Sequence, residues 1–518
     1  MRHRISALCI VAAVLIAACG GSSSQSGSGQ GGTLTVAIGT DADTLDPAAQ
    51  TTSTIGQMLS MVCEPLVKLT PQNTARSDLA TTWSMSPDGL TYTFDLRHDV
   101  RFQDGEPFNA EAVKVSLDRL NSPETFDAEP GLLTVIKSVA PVSDYKVQIQ
   151  LKQPFSPLVL ALTGFGIMAP KAFTEDGNTP AKVVHPVGTG PYRFASRVEG
   201  EQLVFSRFDG YWGKKPGYEK QVYKVVPNAE SREALVKAGQ AQAAYEPPPS
   251  DIAGLSKNGS GVRIISGPGD RMTGVAINTQ DKKNPQLSNP IVRQALNYAV
   301  DKQLIIQKVL FGWGKPLDAP IVPGLAGYCP AGSYAYNPQK ARQLLQQTGA
   351  EGMTLTLASP NGHYLGDYQV AQAVSADLNA VGLHVTIPNP PTWPSYLSQI
   401  LVPPSQATVD MDLLGLQDSN PASSFNIFQG SQIPPHGVNT DYWSSPQTAA
   451  LIASGTTATS AQAADRDFCQ AGKLVWNAAP WIFIYETVEP FLTTTTVKGI
   501  YGNPGGVIVS AFAEPAAR

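Results

Sequence analysis

Charge is scarce in this sequence, cysteine is scarcer, and one short apolar run stands alone at the start. Charged residues make up 15% of the 518 positions, and the net charge is −5. No run of lysine or arginine occurs, which argues against nucleic acid and against charge-driven binding to anionic lipid. After residue 18 no apolar stretch approaches the roughly 20 residues a membrane-spanning helix needs. Five cysteines occur, at 9, 19, 63, 329 and 469. The last three allow at most one intramolecular disulfide. The signatures of catalysis are missing as well. There is no G-x-S-x-G elbow and no H-E-x-x-H pair. Gly188-Thr189-Gly190 begins like a dinucleotide motif, but Pro191 follows and the third glycine is absent. Gly314-Lys315 fails as a phosphate loop because Pro316 comes next. No two of the six histidines lie at helical ligand spacing, and Cys63 has no evident base. The chain is therefore expected to be no enzyme, with no cofactor and no metal site.

What is present begins with Cys19. Arg2 and Arg4 precede an apolar stretch of about 14 residues that ends Leu15-Ile16-Ala17-Ala18-Cys19. A basic start, a brief apolar core and small residues before the cut make a secretory signal. The end of the run resembles the bacterial lipobox, which implies lipidation of Cys19. The alternative is an ordinary secretory signal with an incidental cysteine. Residues 20–32 are almost wholly Gly, Ser and Gln, the composition of a flexible tether. The folded part is thus expected outside the cytoplasm, held to the cell membrane by a lipid. Removal of the signal takes two arginines, so 35 basic residues face 42 acidic ones, a mature charge of −7.

About 500 residues are too many for one core, since single cores stop growing near roughly 250–300 residues. Apolar residues at 42% and aromatics at 8% mark a globular chain rather than a disordered one. Leu34, Val36 and Ile38 alternate as in a strand, as do Tyr92, Phe94 and Leu96, and Val147, Ile149 and Leu151. Between the last two, Asn109 caps a helix carrying Val113, Leu117 and Leu120. Residues 77–186 therefore read as a compact α+β insert. Farther on, Asn289-Pro290 and Asn337-Pro338 each open a helix with an N-cap and a proline in the first turn. Gly349 stops the second helix. A strand at 354–358, a polar loop at 359–366, a helix at about 368–380 and a strand at 383–387 make a βαβ unit. Ligands of open α/β sheets bind beyond the carboxyl ends of strands, where the loop Pro360-Asn361-Gly362-His363-Tyr364 falls.

A series of motifs runs in order along the chain. They are Thr44-Leu45-Asp46-Pro47, Glu64-Pro65-Leu66-Val67, Trp83 with Asp88-Gly89-Leu90-Thr91-Tyr92, and Asp104-Gly105-Glu106-Pro107-Phe108. Pro186-Val187-Gly188-Thr189-Gly190-Pro191-Tyr192, Tyr211-Trp212, and Val292-Arg293-Gln294-Ala295-Leu296 through Val300-Asp301-Lys302 follow. Together they resemble the extracytoplasmic solute-binding proteins of peptide/nickel ABC importers, the oligopeptide- and dipeptide-binding family. The resemblance implies an α/β, two-lobed periplasmic-binding-protein fold with a hinge and an extra domain inserted in the first lobe. It implies domain I from 32–76, 187–268 and 488–518, domain II from 77–186, and domain III from 269–487. It also implies a monomer that captures a short peptide and hands it to membrane permease subunits. Alternatives are a metal chelate, a sugar oligomer or glutathione as the solute, or an envelope accessory protein that has lost transport.

The resemblance also suggests site residues. Asp418, in Asp418-Ser419-Asn420-Pro421, lies in the loop whose acid holds a ligand amine in the family; the alternative is an Asx turn. Arg271, near the expected hinge, is a candidate partner for a ligand carboxylate; the alternative is an ion pair with Asp270 or another acid. His363 and Tyr364 belong to the ligand-end loop unless that loop is merely solvated. Trp393 and Phe425 are candidates for stacking on a ligand or, alternatively, for the core. Tyr192 and Trp212 look structural. Cys329 and Cys469 are the expected disulfide because both fall in domain III, and Cys63, in an apolar context, is expected to be buried. The chain departs from the family at Ala238-Gly239-Gln240-Ala241-Gln242, where glutamines replace acids.

Overall fold

The computed structural model describes residues 32–516 apart from 43, 50–52, 71–73, 121–134, 180–181, 256–259, 268, 270, 326, 362, 392, 418–420 and 504–505. The expected signal, Cys19, the tether and Asp418 lie outside the described residues. Three larger sheets organise the rest. The first has seven strands in the order Val262–Ser266, Pro490–Thr494, Ala243–Tyr245, Thr33–Ile38, Lys220–Val225, Gln202–Arg207 and Tyr192–Val198. Leu34, Val36 and Ile38 are buried, as their alternation requires.

The second sheet is antiparallel: Ala80–Met85, Thr91–Leu96, Lys146–Leu151 and Ile136–Ser143. Helix Ala110–Leu120 packs on it, burying Val113 and Leu117. The Asn109 Oδ1 accepts the Ala112 N–H at 3.0 Å, which satisfies one of the donors a helix start leaves open.

The third sheet has six strands: Gly314–Pro316, Trp481–Thr487, Arg271–Ile277, Met411–Gln417, Thr354–Ala358 and His384–Thr386. Helices cover both of its faces, so Trp481–Thr487 is buried at every residue. Ile482 and Ile484 join the helices Pro290–Ala299 and Asp367–Ala380 on one face. Trp481 and Phe483 join Ala461–Ala478 on the other. Asn289 and Asn337 cap their helices through the Ile291 and Lys340 N–H groups, at 3.0 and 2.9 Å. Thr354–Ala358 and His384–Thr386 run parallel, the βαβ unit that the sequence pattern predicts.

Several of the ordered sequence motifs converge on one fully buried carboxylate. Glu64 accepts hydrogen bonds from Lys68 (2.7 Å), Tyr211 (2.7 Å), Trp212 (2.8 Å) and Thr189 (3.0 Å). A buried charge must be paired and hydrogen-bonded, so these residues are fixed together although they are far apart in sequence. Lys68 also reaches Asp78 at 2.9 Å, whose carboxyl is pushed up to about 7, chiefly by burial. Gly188 and Gly190 lie against the backbone of 61–63, where a Cβ would fall 2.1–2.2 Å from carbonyl oxygens of Val62 and Met61. Only glycine permits that approach.

Cys329 and Cys469 are disulfide-bonded, joining a loop to the helix Ala461–Ala478 across 140 positions. Cys63 is buried, and burial raises its thiol above the ordinary range.

Lys302 generates a pH prediction. It is buried, donates to the Tyr334 carbonyl at 3.1 Å and lies 5.3 Å from that ring. Burial pushes its amine down to about 7, against about 10.4 in an unfolded chain. Between those values the unfolded chain holds a proton that the folded chain does not, so this group makes stability rise with pH. Lys302→Met should flatten that rise between pH 7 and pH 10 in denaturant titrations; an unchanged slope would contradict the assignment.

Candidate functional site

Two chain crossovers join the first and third sheets. Val262–Ser266 pairs antiparallel with Pro490–Thr494 in the first sheet. Arg271–Ile277 pairs antiparallel with Trp481–Thr487 in the third. Only residues 267–270 and 488–489 separate the members of each crossover. Beside them lies one edge of the third sheet. Thr354–Ala358 and Met411–Gln417 are parallel, and Arg271 opposes Gln417 in antiparallel register. The carboxyl end of Met411–Gln417 thus lies beside the start of Arg271–Ile277, and the chain leaving Ala358, level with Asp412, runs on toward the same place.

Four of the six ligand candidates gather at this edge. Arg271 pairs with Glu489 on the second crossover at 3.0 Å, the second of the two alternatives for this residue, and its guanidinium carbon sits 5.7 Å from the Tyr364 ring centre. The Tyr364 hydroxyl donates to the Gly415 carbonyl at 3.1 Å. His363 stacks on Trp393 with ring centres 3.5 Å apart and planes 10° from parallel. It meets Tyr364 edge-on at 4.6 Å. Trp393 is half-buried and backed by the buried Tyr396, whose hydroxyl donates to the Leu413 carbonyl at 2.7 Å.

Two residues that sequence reading missed hold this arrangement. Asp367 opens the helix Asp367–Ala380 and is 1% exposed. One of its oxygens accepts the His363 and Tyr364 N–H groups at 2.8 and 3.0 Å; the other accepts that of Tyr368 at 2.8 Å. An acid in the first helical turn is the signal that was available. Gly415 is the other. A Cβ there would fall 2.9 Å from the Arg271 Cδ and 3.0 Å from the Tyr364 Cε1. A glycine inside a strand pattern marks such close approaches.

Phe425 takes the core alternative. It is fully buried and stacked on Phe468 at 6.0 Å, and it packs in the core beneath the third sheet. Its large apolar ring is best accommodated where both sides are covered. Tyr192 and Trp212 are structural, through the Tyr218 carbonyl and Glu64.

The arrangement offers a cation balanced by Glu489, a stacked imidazole–indole face and backbone groups at strand ends. That suits binding rather than bond-breaking. Among the described residues no group of three or more His, Cys, Asp or Glu is disposed to hold a metal ion, and no helix is long and apolar enough to cross a membrane.

His363 is held below the ordinary imidazole value, first by burial against its neighbours and then by the Arg271 charge, with Asp367 opposing. Its midpoint in an NMR titration should fall below about 6.5, and Arg271→Ala should raise it. A midpoint that Arg271→Ala leaves unmoved would separate the two residues.

Comparison with known proteins agrees with this geometry. The model of the bacterial extracellular solute-binding proteins, family 5, matches residues 74–433. The glutathione-binding protein GsiB of Pectobacterium atrosepticum is 30% identical over 445 residues, covering 82% of this chain and 83% of that protein. Among solved structures, HbpA2 from Haemophilus parasuis superposes with a TM-score of 0.83 at 25% identity, over 94% of this chain and 100% of that one. DppA from Helicobacter pylori, in complex with the peptide STSA, gives 0.75 at 23% identity, over 94% and 98%, a likeness of fold alone. With two lobes, an inserted sheet and a cleft edge of this composition, the chain belongs to the family 5 bacterial extracellular solute-binding proteins.

Proposed function

We propose that this protein captures a short peptide or peptide-like solute between its lobes and delivers it to ABC permease subunits. The observation that carries the reading is the meeting of Arg271, His363, Tyr364 and Trp393 beside both crossovers. A ligand carboxylate there would take hydrogen bonds from Arg271, with Glu489 holding the guanidinium in place. The His363–Trp393 stack would cover an apolar part of the ligand. Asp418, at the end of the strand Met411–Gln417, is proposed as the amine partner. Glutathione is the first solute to test, because it carries both amine and carboxylate groups and is named for the relative GsiB. Capture proceeds by closure about the crossovers, the motion that hinged binding proteins use. We also infer that Cys19 carries the lipid that tethers the protein to the cell membrane.

The test is native mass spectrometry of the membrane-extracted protein before and after denaturation, followed by calorimetric titration with glutathione and with mixed tripeptides. Released masses of peptides or glutathione are expected, and an intact mass with acyl chains at Cys19. Arg271→Ala should weaken binding by about 10- to 100-fold, the value of a charge-assisted hydrogen bond. A single metal-chelate or sugar mass would replace the peptide reading. A protein that stays empty and gains no thermal stability would instead favour an accessory role, since ligand at 100 times its dissociation constant should add about 2.7 kcal/mol. An unmodified Cys19 thiol would remove the anchor.

A further inference from the structure

The second sheet and the third-sheet unit also touch far along the chain from both crossovers. The loop 152–157 follows the strand Lys146–Leu151 of the second sheet. Its Ser156 hydroxyl donates to the Gly455 carbonyl at 2.8 Å, and its backbone N–H donates to the Thr456 carbonyl at 2.7 Å. Both acceptors are in the last turn of the helix Pro446–Thr456. The last four carbonyls of a helix lack partners within it and gather partial negative charge. One residue from another sheet therefore supplies two donors to this helix end, beside the Ala458 N–H that reaches the Gly455 carbonyl at 3.4 Å.

Both sides of the contact are anchored in their own units. On the donor side, Phe155 packs against the core of the second sheet and its carbonyl accepts the Tyr92 hydroxyl at 3.2 Å. On the acceptor side, Gly455 faces the buried Phe468 ring, which belongs to the core beneath the third sheet. Neither side can follow the other if the units separate. The two hydrogen bonds would then break, leaving the Gly455 carbonyl with its local Ala458 N–H and the Thr456 carbonyl open to water.

We infer that Ser156 and the helix end Gly455-Thr456 form a latch between the inserted domain and the second lobe, so that Ser156 sets solute affinity without touching the solute. The inference rests on the hinge closure proposed above. It gives the insert a part in capture, since closure otherwise depends on the cleft groups alone. Two neutral hydrogen bonds, each modest on its own, make a catch that holds yet releases.

The isosteric pair Ser156→Asp and Ser156→Asn separates charge from size. Aspartate brings a negative charge to the negative end of a helix, whereas asparagine keeps a donor. Spin labels at Val142→Cys and Val438→Cys, both on exposed side chains, would report the separation by pulsed EPR. Cys63 is buried and the other two described cysteines are bonded, so the labels should go to the introduced thiols. The distances would be read with and without saturating glutathione. Ser156→Asn should keep the wild-type distribution. Ser156→Asp should lengthen and broaden it and weaken glutathione binding about tenfold, and Ser156→Ala should do the same to a smaller extent. Identical distributions for Ser156→Asp, Ser156→Ala and wild type, in both conditions, would overturn the latch. If glutathione fails to bind the wild type, the solute reading suffers, but the distance comparison on the free protein still decides the latch.

Discussion

The fold turns on a pair of crossovers that carry two strands from one sheet into another. Val262–Ser266 continues into Arg271–Ile277, and Trp481–Thr487 continues into Pro490–Thr494. Each pair is hydrogen-bonded within its own sheet, so the two units are rigid up to the crossovers. Between the crossovers the Arg271–Glu489 ion pair binds the start of one to the end of the other. The two sheets are joined here by segments of only four and two residues, 267–270 and 488–489, and the proposed closure turns about them. Arg271, Glu489, Tyr364, His363 and Trp393 gather beside those segments.

Buried carboxylates carry out much of the organisation elsewhere. Glu64 collects donors from four residues, and through Lys68, which also pairs with Asp78, the cluster reaches the start of the insert. Asp367 does the equivalent at the cleft, holding the backbone of His363 and Tyr364 so that their rings meet Trp393. In both cases the cost of burying a charge is offset by several short hydrogen bonds. The geometry that results is more definite than apolar packing alone would give. The latch at Ser156 is the opposite kind of contact, two neutral hydrogen bonds at a surface, and it is suited to being broken.

Much of the fold was legible because local rules were obeyed. Alternation gave the strands at 33–38, 91–96 and 146–151, and the Asn-Pro pairs gave the helix starts at 290 and 338. The order of motifs gave the family, and Glu64 shows a physical reason for part of it: residues of three of the motifs share one hydrogen-bonded centre. The site was legible only in part. His363 and Tyr364 were read from their place after a strand, and Arg271 from its place near the expected hinge, and these residues lie together in the fold. Phe425 stayed open between ligand and core because a phenylalanine beside a loop reads the same in either place, and it packs in the core. Glu489 and Asp367 were missed because each acts through a partner distant in sequence or on backbone N–H groups, and neither pattern shows in periodicity.

The most direct test is a crystal structure of the protein grown with the solute it releases on denaturation. The account requires density for that solute beside both crossovers, with a carboxylate near Arg271 and an apolar group over the His363–Trp393 stack. Density lodged on an outer face of either lobe, or a solute in the cleft that leaves Arg271, His363 and Trp393 untouched, would contradict it.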